Sequence, residues 1–199
     1  MKILILGSGT FGTAIGNELA FNSKNEVILF SRNKEKVQEI NTKHTNKSYF
    51  PNKHLHNNLR ASSLKKDIKS ADIILIALPS SVITTIITNL KGCFKKDALF
   101  VNLSKGLFAG GVTIVDNIKE VLNTTNVVSL KGPSFASEVM DHTDTLLTLG
   151  YKTNNQYDII RRIIKDTSLH IDCTTDIRGV ELLSVLKNIY ALVIGIVDA

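Results

Sequence analysis

The feature that most constrains this chain is its start, where a short apolar run meets three closely spaced glycines. Residues 2–6 (KILIL) predict a buried β-strand, and a helical spacing of apolar side chains begins at residue 10. Gly7, Gly9 and Gly12 stand between and within these segments in a GxGxxG pattern. Gly7 permits a tight turn, Gly9 lets a ligand approach the backbone, and Gly12 permits close helix–strand packing. The pattern predicts a strand–turn–helix unit whose helix N-terminus faces the phosphates of a dinucleotide; the alternative is a tight turn without a ligand.

The rest of the chain continues this alternation of strands and helices. Residues 72–78 are a continuous apolar run, which is typical of a parallel strand buried on both faces. Other strands are predicted at residues 26–31, 59–62, 98–102, 127–130, 145–149 and 168–173. Helices are predicted at residues 10–21, 33–44, 112–122 and 157–165, with a small helix before Ala71 and a helix start at Pro133. The pattern predicts a doubly wound α/β sheet of Rossmann type.

The last segment has a different character, because apolar side chains from residue 179 onwards cover every face of a predicted helix. We therefore predict a nucleotide-binding domain over residues 1–178 and the first helix of a second, all-α domain over residues 179–199. Such a helix needs protein around it, and we expect part of that protein to be absent from this chain. The segment also contains Lys187, and burying an ammonium is costly without a partner or a task. A desolvated lysine suits proton transfer; the alternatives are a side chain that reaches the helix edge or pairs with Glu181.

Charge and cysteine content exclude several classes of function. The net charge of +6 comes from short basic pairs scattered along the chain, and aromatic residues make up only 6% with no Trp, so a nucleic-acid-binding stripe is not expected. Cys93 and Cys173 lie far apart and in no ligand spacing, which predicts neither a disulfide framework nor a zinc site. His54 and His56 lack a third ligand at a suitable spacing, so no metal is expected. This composition fits a reducing, cytoplasmic setting.

The N-terminal apolar run is too short for the core of a signal peptide, and no window of the sequence is long and apolar enough for a membrane span. We therefore expect structure to begin at the first residues, and we expect no membrane span.

Two basic residues follow predicted strands at positions where ligands bind. Arg32 directly follows the second strand, where an NAD-selective fold would place an acid for the ribose hydroxyls. Arg32 could instead pair with the 2′-phosphate of NADP(H), which is therefore the favoured cofactor, with NAD(H) as the alternative; an exposed arginine beside Lys34 and Lys36 is the competing interpretation. Lys105 follows a buried strand at the carboxyl edge of the sheet, although loop lysines are also common there.

A set of motifs occurs in order along the whole chain. They are residues 7–12 (GSGTFG), 49–51 (YFP), 78–80 (LPS), 104–107 (SKGL), 132–138 (GPSFASE), 179–181 (GVE) and 186–188 (LKN). Taken alone, residues 132–138 are explained by a helix cap, since Pro suits the first turn and Ser can cap. Together the motifs resemble those of the bacterial NAD(P)-dependent glycerol-3-phosphate dehydrogenases.

The resemblance implies roles for individual residues. Contacts to the cofactor would come from Gly7, Gly9, Thr10, Phe11, Gly12, Arg32, Tyr49 and Lys105, with Ala136 near the nicotinamide. Contacts to the substrate would come from Lys105, Gly132, Ser134 and Lys187. The resemblance further implies that Lys187 is the proton donor and acceptor.

The implied reaction is the reversible reduction of dihydroxyacetone phosphate to sn-glycerol 3-phosphate in the cytoplasm, which feeds glycerophospholipid synthesis; a homo-oligomer is compatible with it. The family continues into an all-helical domain, and we expect most of that domain to be missing after Ala199. Two alternatives stay open: a two-domain β-hydroxy acid dehydrogenase, and a non-catalytic nucleotide-binding or partner-binding remnant.

Overall fold

The structure is a computed structural model that describes the backbone of residues 1–197, with side chains except those of residues 188, 189, 191–194 and 197. Within this range strands and helices alternate, as the apolar pattern predicts. The strands are β1 (Lys2–Leu6), β2 (Glu26–Phe30), β3 (Leu59–Ser62), β4 (Ile73–Ile76), β5 (Leu99–Asn102), β6 (Val127–Lys131), β7 (Thr145–Gly150) and β8 (Leu169–Thr174). The helices are α1 (Thr10–Leu19), α2 (Lys34–Lys43), α3 (Lys65–Ser70), α4 (Ser80–Leu90), α5 (Ile114–Leu122), α6 (Ala136–Met140), α7 (Asn154–Ile163) and α8 (Ile177–Val197).

The strands form one sheet in the order β3-β2-β1-β4-β5-β6-β7-β8. Strands β1 to β6 are parallel, β7 is antiparallel to β6, and β8 is parallel to β7. In register, Leu4 of β1 lies opposite Ile28 of β2 and Ile74 of β4. The strand order reverses between β1 and β4, and such a reversal leaves a crevice at the carboxyl ends of the strands. The predicted doubly wound sheet of Rossmann type is thereby confirmed.

Helices cover both faces of the sheet, so successive residues of one strand belong to different parts of the core. Ile3 and Ile5 pack in the cluster that includes side chains of α1 and α7, whereas Leu4 and Leu6 pack in the cluster that includes side chains of α4 and α5. Each fully buried Ile or Leu side chain stabilises the fold by about 1.5–3 kcal/mol relative to exposure. Because both faces are buried, the central strands are continuous apolar runs.

The connection between β6 and β7 is where the sheet changes direction. It contains only α6, whose five residues span about 8 Å at ~1.5 Å per residue and pack against α1. Parallel strands require a crossover that carries the chain back along the sheet, and α6 is too short for this. The chain therefore re-enters the sheet as the antiparallel strand β7.

Several helices differ from the sequence-based expectation, among them α7, which begins at Asn154 and not at residue 157. The helix predicted to start at Pro133 begins at Ala136, and the predicted Ser134 cap is wrong: Phe135 is the N-cap, and its N–H donates to the Glu138 carboxylate at 3.1 Å. Helix α4 has no predicted counterpart, because its run of Val, Ile and Thr is poor in strong helix formers. Helix α8 begins at Ile177, slightly before the predicted start.

Among the helices that the structure describes, none combines the length and apolar character needed to cross a membrane.

The packing at the first turn generates a prediction about stability. A Cβ atom at Gly12 would lie 2.1 Å from the backbone oxygen of Gly7, whereas one at Gly9 would meet no atom within 4 Å. We expect Gly12→Ala to lower the free energy of unfolding by about 1–3 kcal/mol, because the backbone must move to admit the methyl group. Urea unfolding measures this free energy. Gly9→Ala is the matched control, and we expect it to change the free energy of unfolding by less than about 1 kcal/mol. Equal effects at the two positions would contradict the steric argument.

Candidate active site

The turn between β1 and α1 packs directly against the end of β4. A Cβ atom at Gly7 would lie 2.2 Å from the backbone oxygen of Ala77, and Gly7 has a φ of +117°, which residues with side chains rarely adopt. At Gly9 the space beside the backbone is open, and no side chain caps α1 there. Backbone amides and the helix dipole favour an anionic group at such a helix N-terminus. The turn is thus shaped to receive a phosphate.

A cavity of about 690 Å³ extends from this turn across the carboxyl ends of β1 and β2. Four of the predicted cofactor residues line it: Gly7, Gly9, Arg32 and Tyr49. The Arg32 side chain is exposed to solvent, and the Lys36 ammonium lies 4.5 Å from the centroid of the Tyr49 ring. A cavity of this size with a basic rim could hold the adenosine half of a dinucleotide.

A second cavity of about 350 Å³ continues from the first, since residues 77–79 line both. Phe11, Lys105, Gly132 and Ser134 also line the second cavity, so the structure brings these predicted residues together. They come from α1 and from the loops after β5 and β6. The two cavities form one trough along the carboxyl edge of the sheet, which is where doubly wound folds bind their ligands.

A third cavity of about 170 Å³ lies where α8 meets the sheet. Lys105 and Gly132 line it as well as the second cavity, and α8 contributes Val180, Ser184 and Lys187. The predicted catalytic Lys187 therefore lies at the end of the trough opposite to Arg32. This arrangement puts the predicted substrate residues beside the cavity that could hold the reactive end of the cofactor.

Two lysine side chains, those of Lys105 and Lys187, line this end of the trough. Lys187 is half-buried, and its Nζ lies 5.6 Å from the centroid of the Phe135 ring. Partial burial lowers the pKa of Lys105, and the charge of Lys187 lowers that pKa further, although much of the Lys105 side chain remains accessible to solvent. Like charges held together in a cleft attract an anion.

Three predicted cofactor residues do not line the described cavities. Thr10 is exposed in the first turn of α1, and Gly12 is buried beneath the glycine turn. Ala136 begins α6 and packs, partly buried, against the core. Gly12 therefore shapes the turn through its small size, whereas contacts of Thr10 and Ala136 with a cofactor stay predictions.

The site also contains a buried ion pair that the sequence analysis missed. Lys131, at the end of β6, lies with its Nζ 3.1 Å from an Oε1 oxygen of Glu181 on α8. The Asn102 side-chain amide donates to both carboxylate oxygens of Glu181, at 2.9 and 3.0 Å, and the Ser129 hydroxyl donates to one of them. Lys131 also donates to the backbone oxygens of Asn102, at 3.3 Å, and Ser104. Glu181 thus pairs with Lys131, and the expected alternative of a Glu181–Lys187 pair is not seen.

Burial lowers the pKa of Lys131 to about 8, although the carboxylate of Glu181 acts in the opposite direction. The one signal in the sequence was a lysine closing an otherwise apolar strand, VVSLK, opposite a glutamate on an apolar helix. Neither residue alone indicates a partner some fifty positions away, and only the fold brings them together.

Of the two histidines in the loop before β3, His54 is exposed and His56 packs against a neighbouring ring. The His56 ring lies 4.6 Å from the Phe21 ring, and burial lowers the pKa of His56. Among the residues described, no group of three His, Cys, Asp or Glu side chains is placed to hold a metal ion.

The strand order, the glycine turn and the trough along the carboxyl edge define a domain of Rossmann type, the fold class that binds dinucleotides at this edge of the sheet. The family model described as the N-terminus of NAD-dependent glycerol-3-phosphate dehydrogenase matches residues 2–157. The chain belongs to this family, which confirms the resemblance drawn from its motifs. The family match does not favour a β-hydroxy acid dehydrogenase.

Curated relatives and solved structures extend the similarity to almost the whole chain. The glycerol-3-phosphate dehydrogenase (NAD(P)+) of Staphylococcus aureus is 34% identical over 202 residues, which covers 98% of this chain and 60% of the relative. That of Neorickettsia sennetsu is 29% identical over 197 residues, covering 98% and 59%. The crystal structure of glycerol-3-phosphate dehydrogenase from Coxiella burnetii is 28% identical with a TM-score of 0.86, covering 99% of this chain and 61% of that chain. The chain thus spans about 60% of the length of these relatives.

The buried ion pair generates a prediction about pH. The pKa of Lys131 is about 8 in the folded chain and about 10.4 in an unfolded one, so the unfolded state binds more protons between these values. Stability contributed by this group therefore rises with pH from about 8 to about 10.4. We expect that rise to disappear in Lys131→Met, in which the titrating group is absent.

Urea unfolding of the wild type and Lys131→Met at several pH values in this window measures the effect as the difference between the two proteins. The exposed Lys165→Met is the control and should follow the wild type. A difference in unfolding free energy between wild type and Lys131→Met that does not change with pH would be incompatible with the lowered pKa.

Proposed function

We propose that this chain provides the cofactor site and part of the substrate site for reduction of dihydroxyacetone phosphate to sn-glycerol 3-phosphate. The observation that carries the proposal is the continuous trough, which has the glycine turn and Arg32 at one end and Lys105 and Lys187 at the other. The family match supports it. The relatives are named as dehydrogenases of glycerol 3-phosphate, and the reduction proposed here is the reverse of that oxidation.

The reaction requires stabilisation of negative charge at the carbonyl oxygen of the substrate. A bound nicotinamide cofactor supplies the hydride that reduces carbon 2. Lys187 would stabilise the developing alkoxide and donate a proton to it, and in the reverse direction its neutral amine would accept that proton. Lys105, Gly132 and Ser134 would hold the substrate beside it. Half-burial of Lys187 strengthens its interaction with charge that develops nearby, because fewer water molecules screen it.

The cofactor would occupy the two larger cavities. The glycine turn would receive the pyrophosphate at the N-terminus of α1, with Thr10, Phe11, Tyr49 and Ala136 contacting the cofactor along the trough. We propose a preference for NADP(H) over NAD(H), since Arg32 lines the cavity at the end of β2 and no acid stands there.

The division of the chain follows from the same proposal. Residues 1–178 would form the nucleotide-binding domain, and residues 179–199 would begin a helical substrate-binding domain. On this basis the protein acts in the cytoplasm on a small molecule and supplies a precursor of glycerophospholipids.

A cofactor titration tests the role of Arg32. In Arg32→Ala the affinity for NADPH should fall about tenfold to a hundredfold, the loss expected when a charge-assisted contact to phosphate is removed. The affinity for NADH, which lacks the 2′-phosphate, should stay unchanged. Lys34→Ala removes a neighbouring positive charge at the start of α2 and serves as the control. An unchanged ratio of NADPH to NADH affinity in Arg32→Ala would remove Arg32 from the 2′-phosphate site.

A turnover assay tests the role of Lys187. With a form of the protein that turns over, Lys187→Ala should lower kcat by about 10²–10⁴-fold, since the lost contact belongs to the transition state. Cofactor affinity should stay near that of the wild type, because the adenosine cavity lies at the other end of the trough. Lys187→Arg keeps the charge without a proton that is readily donated, so it should recover only part of the rate. Near-normal turnover of Lys187→Ala would refute the assignment.

A further inference from the structure

The carboxylate of Glu181 attaches α8 to the sheet. Its exposed fraction is 1%, and every side-chain contact described above comes from β5 and β6: the amide of Asn102, the hydroxyl of Ser129 and the ammonium of Lys131. Lys187 stands six residues, or about 1.7 turns, further along the same helix. The depth of Glu181 therefore determines where α8 holds Lys187 relative to the sheet.

Lys131, the partner of Glu181 in the ion pair, also holds the loop that follows β5. It donates to the backbone oxygens of Asn102 and Ser104, directly before Lys105. The Asn102 side chain closes this turn, since its amide donates to the Ser104 oxygen at 3.2 Å and its oxygen accepts from the Ser104 N–H at 2.9 Å. The Ser104 hydroxyl donates to the Ile76 oxygen at 3.1 Å, which anchors the turn to β4. The backbone that carries Lys105 is thus held by Lys131.

We propose that Lys131 and Glu181 are positioning residues that hold the Lys105 and Lys187 ammonium groups together at one cavity, ready for an anionic ligand. One ion pair joins the two elements that carry these lysines, and neither Lys131 nor Glu181 needs to touch the ligand. A role of this ion pair in binding a phosphorylated substrate rests on the proposed function, whereas its role in positioning Lys105 and Lys187 does not.

Repulsion between the two ammonium groups explains why an ion pair is needed to hold them. Two ammonium groups near one cavity repel each other, and without a constraint α8 and the loop after β5 would relax apart. A buried ion pair with every partner satisfied is costly to break, because either charge left alone in the interior is strongly disfavoured. The pair therefore holds like charges close together before an anion arrives, and a preorganised cationic site binds it without first having to assemble.

The experiment measures the pKa of the Lys105 side chain by carbon-13 NMR of labelled lysines in the chain of residues 1–199, with the signal assigned from Lys105→Arg. As a single substitution, Lys187→Met should raise this pKa by about half a pH unit. This is the size expected for ammonium groups several ångströms apart near a protein surface. Glu181→Gln should raise it in the same way, because α8 carries Lys187 away. Adding Lys187→Met to Glu181→Gln should then have no further effect.

The sign of the shift separates positioning from direct electrostatics. Removing the carboxylate of Glu181 without movement would lower the pKa of Lys105, since a negative charge is lost nearby. A pKa that is unchanged or lowered in a folded Glu181→Gln would overturn the proposal. Glu26→Gln is the matched control, because Glu26 forms an exposed ion pair with Arg60 at 2.5 Å, and it should leave the pKa of Lys105 unaltered.

A milder variant keeps the test decisive if Glu181→Gln does not fold. Ser129→Ala removes one donor to the Glu181 carboxylate and leaves the ion pair, so it should raise the pKa of Lys105 by a smaller amount. No rise in a folded Ser129→Ala would then overturn the proposal. NADPH binding measured on the same samples is a separate readout. Loss of Lys105–Lys187 coupling with cofactor binding intact supports positioning, and absence of cofactor binding in the wild type would instead contradict the proposed function.

Discussion

The close approach of the first turn to β4 is the contact on which the rest of the site depends. Gly7 and Gly12 leave no room for a side chain between β1, α1 and Ala77, so strand, helix and neighbouring strand are held at one point. That point lies at the reversal of strand order, and the crevice there becomes the trough. A larger residue would separate α1 from the sheet and displace the backbone amides at the N-terminus of α1. The missing side chains at Gly7 and Gly12 therefore determine both the packing of the turn and the position of these amides.

The two ends of the trough use positive charge in different ways. At one end Arg32 is exposed, so solvent screens its charge, and a strong interaction with an anion there would require a direct, directional contact. At the other end Lys105, Lys131 and Lys187 line one cavity, and the burial of Lys131 and half-burial of Lys187 reduce the screening of their charges by solvent. The carboxylate of Glu181 offsets part of the repulsion among these lysines, which allows them to lie near one another in the folded chain. The end of the trough that holds these lysines is thus the part that depends most on tertiary structure.

The sequence predicts what depends on local pattern and misses what depends on distant partners. Strands such as residues 73–76 were predictable because burial on both faces leaves a continuous apolar run, and the glycine turn was predictable because its spacing is short. Helix α4 was missed since β-branched residues favour strands locally, and packing against the sheet overrides that preference. The pairing of Lys131 with Glu181 joins residues some fifty positions apart, so no local pattern could reveal it.

Helix α8 shows how such a pairing can decide the orientation of an element. Its apolar residues cover all faces, so hydrophobicity alone favours no side. Yet Glu181 and Ser184 are buried against the sheet, while Leu183 and Tyr190 are exposed by 66% and 62%. Turning the helix to bury Leu183 would gain about 1.5–3 kcal/mol of apolar burial but would expose or unpair the buried charges, at a cost of about 3–5 kcal/mol. The ion pair therefore fixes the rotation of α8 about its axis, and in that rotation Lys187 lines the cavity at the end of the trough.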